Sequence, residues 1–185
     1  TTYFRAVISN GACTVNSGIA TVTVDPASVG GNVTGSTTVC YGTNSTTLGL
    51  NGYVGTIQWE SSTDSVNYTA ITDSARASFV AKNLTATTWF RALVQSGVCA
   101  PVYSSVGKIT VSPATVAGTA SGDTTVCASS NTSVITLNGY VGSIQWQVSS
   151  NNSNFSAISG ATGATYSASG LTATRYYRAR VKSGV

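Results

Sequence analysis

Asn51-Gly52-Tyr53-Val54-Gly55-Thr56-Ile57-Gln58-Trp59 returns 87 positions later as Asn138-Gly139-Tyr140-Val141-Gly142-Ser143-Ile144-Gln145-Trp146. Within each copy the apolar residues alternate with polar ones. That period of two reads as a β-strand with Ile57 and Trp59, or Ile144 and Trp146, on a buried face and Gln58 and Glu60 outside. Trp59 and Trp146 are therefore the expected core residues. Leu84-Thr85-Ala86-Thr87 recurs as Leu171-Thr172-Ala173-Thr174 at the same offset. A third, partial copy opens the chain: Tyr3-Phe4-Arg5-Ala6 matches Trp89-Phe90-Arg91-Ala92 and then Tyr176-Tyr177-Arg178-Ala179.

Prolines at Asp25-Pro26 and Ser112-Pro113 follow alternating runs and end them, because proline has no amide to give a ladder. The chain thus divides into the C-terminal strands of a truncated repeat (1–25), a complete repeat (26–112) and a repeat lacking its last strand (113–185). Thr1-Thr2-Tyr3-Phe4-Arg5 lies inside a repeat, so the natural chain is expected to start earlier. A period of 87 residues is the size of one small Greek-key sandwich. Composition agrees with an all-β chain: Met and His are absent and only 8% of residues are charged, the reverse of what long helices use. No run approaches the roughly 20 apolar residues of a bilayer-spanning helix.

In the complete repeat, strands are expected at Thr37-Thr38-Val39, Thr46 to Leu50, Thr56 to Glu60, Val66 to Ile71, Ala77 to Val80, Thr88 to Val94 and Val106 to Val111. The sixth alternates Phe90, Ala92, Val94 against Trp89, Arg91, Leu93. The last copy carries Arg178 and Arg180 at the places of Arg91 and Leu93, and two buried unpaired arginines are prohibitively costly, so the arginine face is the outer one. The predicted fold is a row of tandem immunoglobulin-like, seven-stranded Greek-key β-sandwiches. An odd strand number passes the chain from one pole of each unit to the other, about 35 Å on at roughly 3.3 Å per residue.

Cys40 and Cys127 precede the second strand of their repeats; Cys13 and Cys99 follow the sixth. A disulfide from Cys40 to Cys99 within the complete repeat is the favoured pairing, leaving Cys13 and Cys127 to partners beyond this sequence. The alternative is a clip between repeats, Cys13 to Cys40 and Cys99 to Cys127. Zinc is disfavoured, since there is no CxxC spacing and no histidine. The same lack of histidine, with five scattered acids, leaves no Ser/His or Cys/His pair, no convergent carboxylates and no calcium loop. No enzyme activity, cofactor or metal is expected. The net charge of +4 comes from nine scattered bases without a cluster, which argues against nucleic acid. The outer stripe of Trp89, Arg91, Tyr176 and Arg178 is a candidate contact surface for glycans. Its structural reading, cross-strand packing of an aromatic beside an arginine with Glu60 or Gln147 as partner, is the stronger one.

With Thr38-Val39-Cys40, Gly55-Thr56-Ile57-Gln58-Trp59, Leu84-Thr85-Ala86-Thr87 and Phe90-Arg91-Ala92 in this order, the chain resembles the immunoglobulin-like repeats of giant surface adhesins of gliding Bacteroidota-type bacteria, exported by type IX secretion. The resemblance implies an extracellular or cell-surface location. It also implies O-glycosylation at Asp-Ser/Thr followed by a small or aliphatic residue, for which Ser65, Ser74 and Thr124 are the candidate acceptors. The expected function is a structural and adhesive stalk or filament body that holds a binding function away from the cell. Its expected partners are neighbouring repeats, surface glycans or other copies in a filament. The second reading is a spacer or carbohydrate-binding module of a secreted glycan-degrading enzyme. Isopeptide-stapled pilus material is a third, disfavoured because Lys108 aligns with Thr21.

Overall fold

The computed structural model describes residues 1–184 and is all-β; Val185, the last residue of the expected third repeat, lies outside the described residues. The opening segment carries β1 (Thr2–Phe4), β2 (Val7–Asn10), β3 (Cys13–Asn16) and β4 (Ala20–Val22), with β1 antiparallel to β4 and β2 to β3. Among the described residues no second sheet covers them, and Phe4, one repeat ahead of a core phenylalanine, is 57% exposed.

The middle sequence repeat carries β5 (Asn32–Thr34), β6 (Thr37–Cys40), β7 (Ser45–Asn51), β8 (Thr56–Ser62), β9 (Thr69–Ala70), β10 (Ser78–Lys82), β11 (Thr88–Gln95), β12 (Val102–Tyr103) and β13 (Gly107–Ser112). One sheet has the order β10-β7-β5; the other runs β6-β13-β11-β8-β9, with β12 on β11. The first expected strand, Thr37 to Val39, is β6, and an unexpected strand, β5, precedes it. Gly35, at φ +93°, turns the chain out of the antiparallel ladder with β7 and into a parallel one with β13, which pairs Ile109 with Thr37 and Ser112 with Cys40. A side chain at that φ is strained, so glycine is what permits the switch. The expected strand from Val66 to Ile71 shrinks to two residues, because the segment before it is folded into a side-chain-bonded loop.

The last repeat has β14 (Thr119–Ser121), β15 (Thr132–Asn138), β16 (Ser143–Ser149), β17 (Ser156–Ala157), β18 (Thr165–Ser169) and β19 (Tyr176–Lys182), in the sheets β14-β15-β18 and β17-β16-β19. Among the described residues nothing pairs with the outer edge of β19, whereas β11 is flanked on both sides. The alternation that buries every second residue of β11 therefore only half-buries Tyr177, Ala179 and Val181. An open cleft of about 400 Å³ beside this edge is lined by Asp123, Val126, Ile135, Ala168 and Tyr176 among others.

By compactness the chain forms two units, Thr1–Gly35 with Leu48–Phe79 and Phe90–Gly107, and Ser36–Thr47 with Val80–Trp89 and Lys108–Val185, so their boundary falls inside the middle sequence repeat. In the first unit, Leu48, Leu50, Ile57, Trp59, Phe90, Ala92 and Val94 are buried. Phe79 lies between Trp59 and Phe90 at centroid distances of 5.8 and 5.6 Å, so side chains from both sheets share one core. In the second unit, Leu137, Ile144 and Trp146 form the corresponding cluster with Tyr166 and Tyr177 against it. Both indoles are fully enclosed, and each donates from Nε1 to a backbone carbonyl: Trp59 to Arg76 at 2.8 Å and Trp146 to Gly163 at 2.9 Å.

Trp59→Ala is expected to destabilise its sandwich by about 3–5 kcal/mol, read from urea unfolding, because it removes the largest enclosed side chain and leaves a cavity. A loss below about 1 kcal/mol would mean that the indole is not part of a closed core.

Candidate functional site

On the outer face of β11, Arg91 is fully engaged. Its Nε donates to Glu60 Oε2 at 2.8 Å, and its guanidinium lies 3.9 Å from the Tyr68 ring centroid and 3.7 Å from that of Tyr103. In the last repeat Arg178 Nε donates to Gln147 Oε1 at 2.8 Å and the guanidinium lies 4.1 Å from the Phe155 centroid. Trp89 has the Lys108 ammonium 5.3 Å from its centroid, and Tyr176 lies on the open edge of β19, lining the cleft. Around Arg91 the stripe is a cation stacked on two tyrosines and paired with a carboxylate, so one face of each ring is taken up within the repeat. Tyr68, Tyr103 and Phe155 were not foreseen from the sequence. They come from β12 and from the segments just before β9 and β17, where nothing in the local pattern marks them as arginine partners.

The loop after β8 is organised by Asp64. Its Oδ1 accepts from the Ser62 hydroxyl (2.7 Å) and from the amides of Val66 and Asn67 (both 2.8 Å), and its Oδ2 accepts from Asn67 Nδ2 (2.7 Å). These donors, the Asn67 amide foremost, hold the carboxyl well below the usual carboxylate range. Asn151 makes the equivalent net with the amides of Ser153 and Asn154 in the last repeat. Ser65, at the tip of the Asp64 loop with φ +64°, is exposed, and so is Thr124. Ser74 is a correction. It is only 6% exposed, its hydroxyl donates to the Ile71 carbonyl at 2.6 Å and accepts from Gln58 Nε2 at 2.9 Å, so it is closed to a glycosyl donor.

The cysteine pairing is also corrected. The described residues contain no disulfide, so neither the Cys40–Cys99 bond nor the clips Cys13–Cys40 and Cys99–Cys127 are made. Cys40 ends β6 opposite Ser112, and the neighbouring Val111 amide donates to Thr87 Oγ1 at 3.1 Å, just before β11 begins. Cys99 follows the far end of β11. That strand of 8 residues spans roughly 25 Å at about 3.3 Å each, against the ~7 Å between Cα atoms that a disulfide tolerates.

The residues that sequence reading missed altogether lie where one repeat hands the chain to the next. Ser96 N donates to Ser28 Oγ at 2.9 Å, and Val98 N to Asp25 Oδ2 at 3.1 Å. Gly97, at φ +49°, packs against the Asp25 carboxylate with no room for a Cβ, and Cys99 Sγ lies 3.4 Å from the Pro26 carbonyl oxygen. Eighty-seven positions on, Ser183 N donates to Thr115 Oγ1 at 3.0 Å, and Gly184, at φ +74°, has the same close approach to Ser112. A signal existed, since Ser96-Gly97-Val98 returns as Ser183-Gly184-Val185. Gly97→Ala is expected to speed amide exchange at Ser96 and Val98 by at least tenfold, whereas Gly18→Ala, where a Cβ meets only open space and φ is not left-handed, leaves those amides unchanged. Equal effects from the two variants would contradict the fit at the joint.

The fold has counterparts among solved structures. Titin domains A168–A170 are 13% identical with a TM-score of 0.50, covering 98% of this chain and 68% of that one. A two-domain fibronectin type III segment of chicken tenascin is 10% identical with a TM-score of 0.33, covering 83% and 99%. The chicken CNTN1 FN1–FN3 domains are 13% identical with a TM-score of 0.31, covering 97% and 65%. The titin likeness shows the fold, an immunoglobulin-like sandwich, and nothing further. No curated protein sequence matches the chain. A family described as a domain of unknown function, DUF8696, matches twice, over residues 29–113 and 116–185, and the chain belongs to that family.

Proposed function

We propose that the chain is a stalk segment: consecutive immunoglobulin-like repeats at 1–25, 26–112 and 113–185 that hold a binding function away from a cell surface. The observation that carries this reading is the joint. An amide-to-hydroxyl bond, a left-handed glycine and a close approach to the residue before proline occur at Ser96, Gly97 and Asp25, and again one period later at Ser183, Gly184 and Ser112. A joint that repeats in detail suits a chain whose task is to extend by equal steps. The resemblance to giant adhesins of gliding Bacteroidota-type bacteria supports a stalk that works outside the cell after type IX export, with neighbouring repeats and other copies in a filament as its partners. Among the described residues no helix is long and apolar enough to cross a membrane. The chain has no catalytic role in this reading and uses no cofactor. Ser65 and Thr124 are the acceptors for O-glycosylation. A carbohydrate-binding spacer gains no support from the stripe, because Arg91 is stacked on both faces.

Arrays of two, four and eight copies of 26–112 are expected to lengthen linearly in small-angle scattering, by a constant step per copy of at least the roughly 25 Å that the 8 residues of β11 span at ~3.3 Å each. Saturable binding on a glycan array, or a dimension that stops growing with copy number, would count against a stalk.

A further inference from the structure

The four cysteines occur once per class per repeat, and the bond within a repeat is ruled out by the length of β11. We propose instead that the cysteine ending β6 of each repeat is bridged to the cysteine that follows the β11-type strand of the next repeat, so that one disulfide crosses every joint. The inference rests on the tandem-array reading.

Two joints each show half of the bridge. At the later one, Cys40 is paired in register with Ser112, and a Cβ on Gly184 would lie 3.8 Å from Cys40 Sγ and 2.6 Å from Ser112 Oγ. At the earlier one, Gly97 has the same relation to Asp25. Two residues further on, Cys99 has its Sγ 3.4 Å from the Pro26 carbonyl oxygen and 3.9 Å from that of Asp25. Asp25-Pro26 and Ser112-Pro113 are equivalent in the repeat, as are Gly97 and Gly184. A cysteine two residues after Gly184, in register with Cys99, therefore has its sulfur at the carbonyls of Ser112 and Pro113. Cys40 is the residue directly across the ladder from Ser112. Neighbouring strands lie about 4.8 Å apart, so a sulfur resting on the Ser112 and Pro113 carbonyls lies on the backbone next to Cys40.

Each thiol loses one proton and one electron, and the sulfurs join. A disulfide-bearing oxidant of the export route, or glutathione disulfide in the tube, is reduced to two thiols by exchange through a mixed disulfide. Cys40 is exposed and Cys99 partly so, which gives an oxidant access. With both joints of the middle repeat bridged, residues 26–40 and 99–112 become two covalent ties between its poles. The chain between Cys40 and Cys99, which includes β7, β8, β10 and β11, then lies off the path of a pulling force.

The chain is extended past Val185 by a copy of residues 99–112, which completes the last repeat with a cysteine at the position after Val185, and is oxidised in glutathione buffer. Peptide mapping is expected to find Cys40 linked to that new cysteine as the dominant bridge, with Cys13, Cys99 and Cys127 unlinked. Cys40→Ser should abolish the bridge while leaving the melting transition under reducing conditions unchanged. A bridge from the new cysteine to Cys127, a Cys99–Cys127 link, or a folded chain with no bridge would each overturn the proposal. The lengthening of reduced arrays is a separate readout, so the stalk reading can stand if the bridge fails.

Discussion

An indole taken out of water must bring an acceptor for its N–H with it, and the organisation of this chain follows from where that acceptor lies. Trp59 meets the Arg76 carbonyl at 2.8 Å, ahead of β10, in the sheet opposite its own; Trp146 meets Gly163 at 2.9 Å in the same relation. Leaving such a donor unpaired in a closed core costs about 1–3 kcal/mol. The bond therefore sets where the segment entering β10 passes over the strand that carries the tryptophan. Gln58 and Gln145 reinforce it from the other side of that strand. Their amides donate to the Ile71 and Ile158 carbonyls at 2.6 and 2.7 Å, tying down the loop that supplies the acceptor. The Ile-Gln-Trp triplet is thus one device in which each residue has a separate task.

Closing each core by its own sheets frees the poles for another use. The contacts at the joints, Ser96 to Ser28 and Val98 to Asp25 in one unit and Ser183 to Thr115 in the other, are backbone amides received by short side chains, with a glycine making the close approach possible. None of them needs apolar surface. The outer face of β11 follows the same economy: its cation is stacked, paired and covered by Tyr68, Tyr103 and Glu60 of the same repeat.

Much of this was legible in the residues because alternation has a period of two and the repeat supplied a second copy as a control. Arg178 and Arg180, standing where the complete repeat has Arg91 and Leu93, identified the outer face of β11. Other features depend on a single dihedral or on residues far apart in the chain. The sheet switch turns on Gly35 alone, and nothing in the composition ahead of it marks β5 as a strand of the other sheet. Ser74 looks like any exposed serine until Gln58 and Ile71 close over it. Strand parity held the answer to the cysteines: one expected strand precedes Cys40 and six precede Cys99, an odd difference that puts them at opposite poles. The joints were hidden because Ser28 meets Ser96 and Asp25 meets Val98 across some seventy residues of chain.

The claim that everything else depends on is a closed core around each of two indoles, and fluorescence reads it directly once the third is silenced. In a Trp89→Phe chain, Trp59 and Trp146 should emit far to the blue of indole in water and resist quenching by acrylamide until the sandwiches unfold. Emission and quenching like those of free tryptophan in the folded chain would contradict the account.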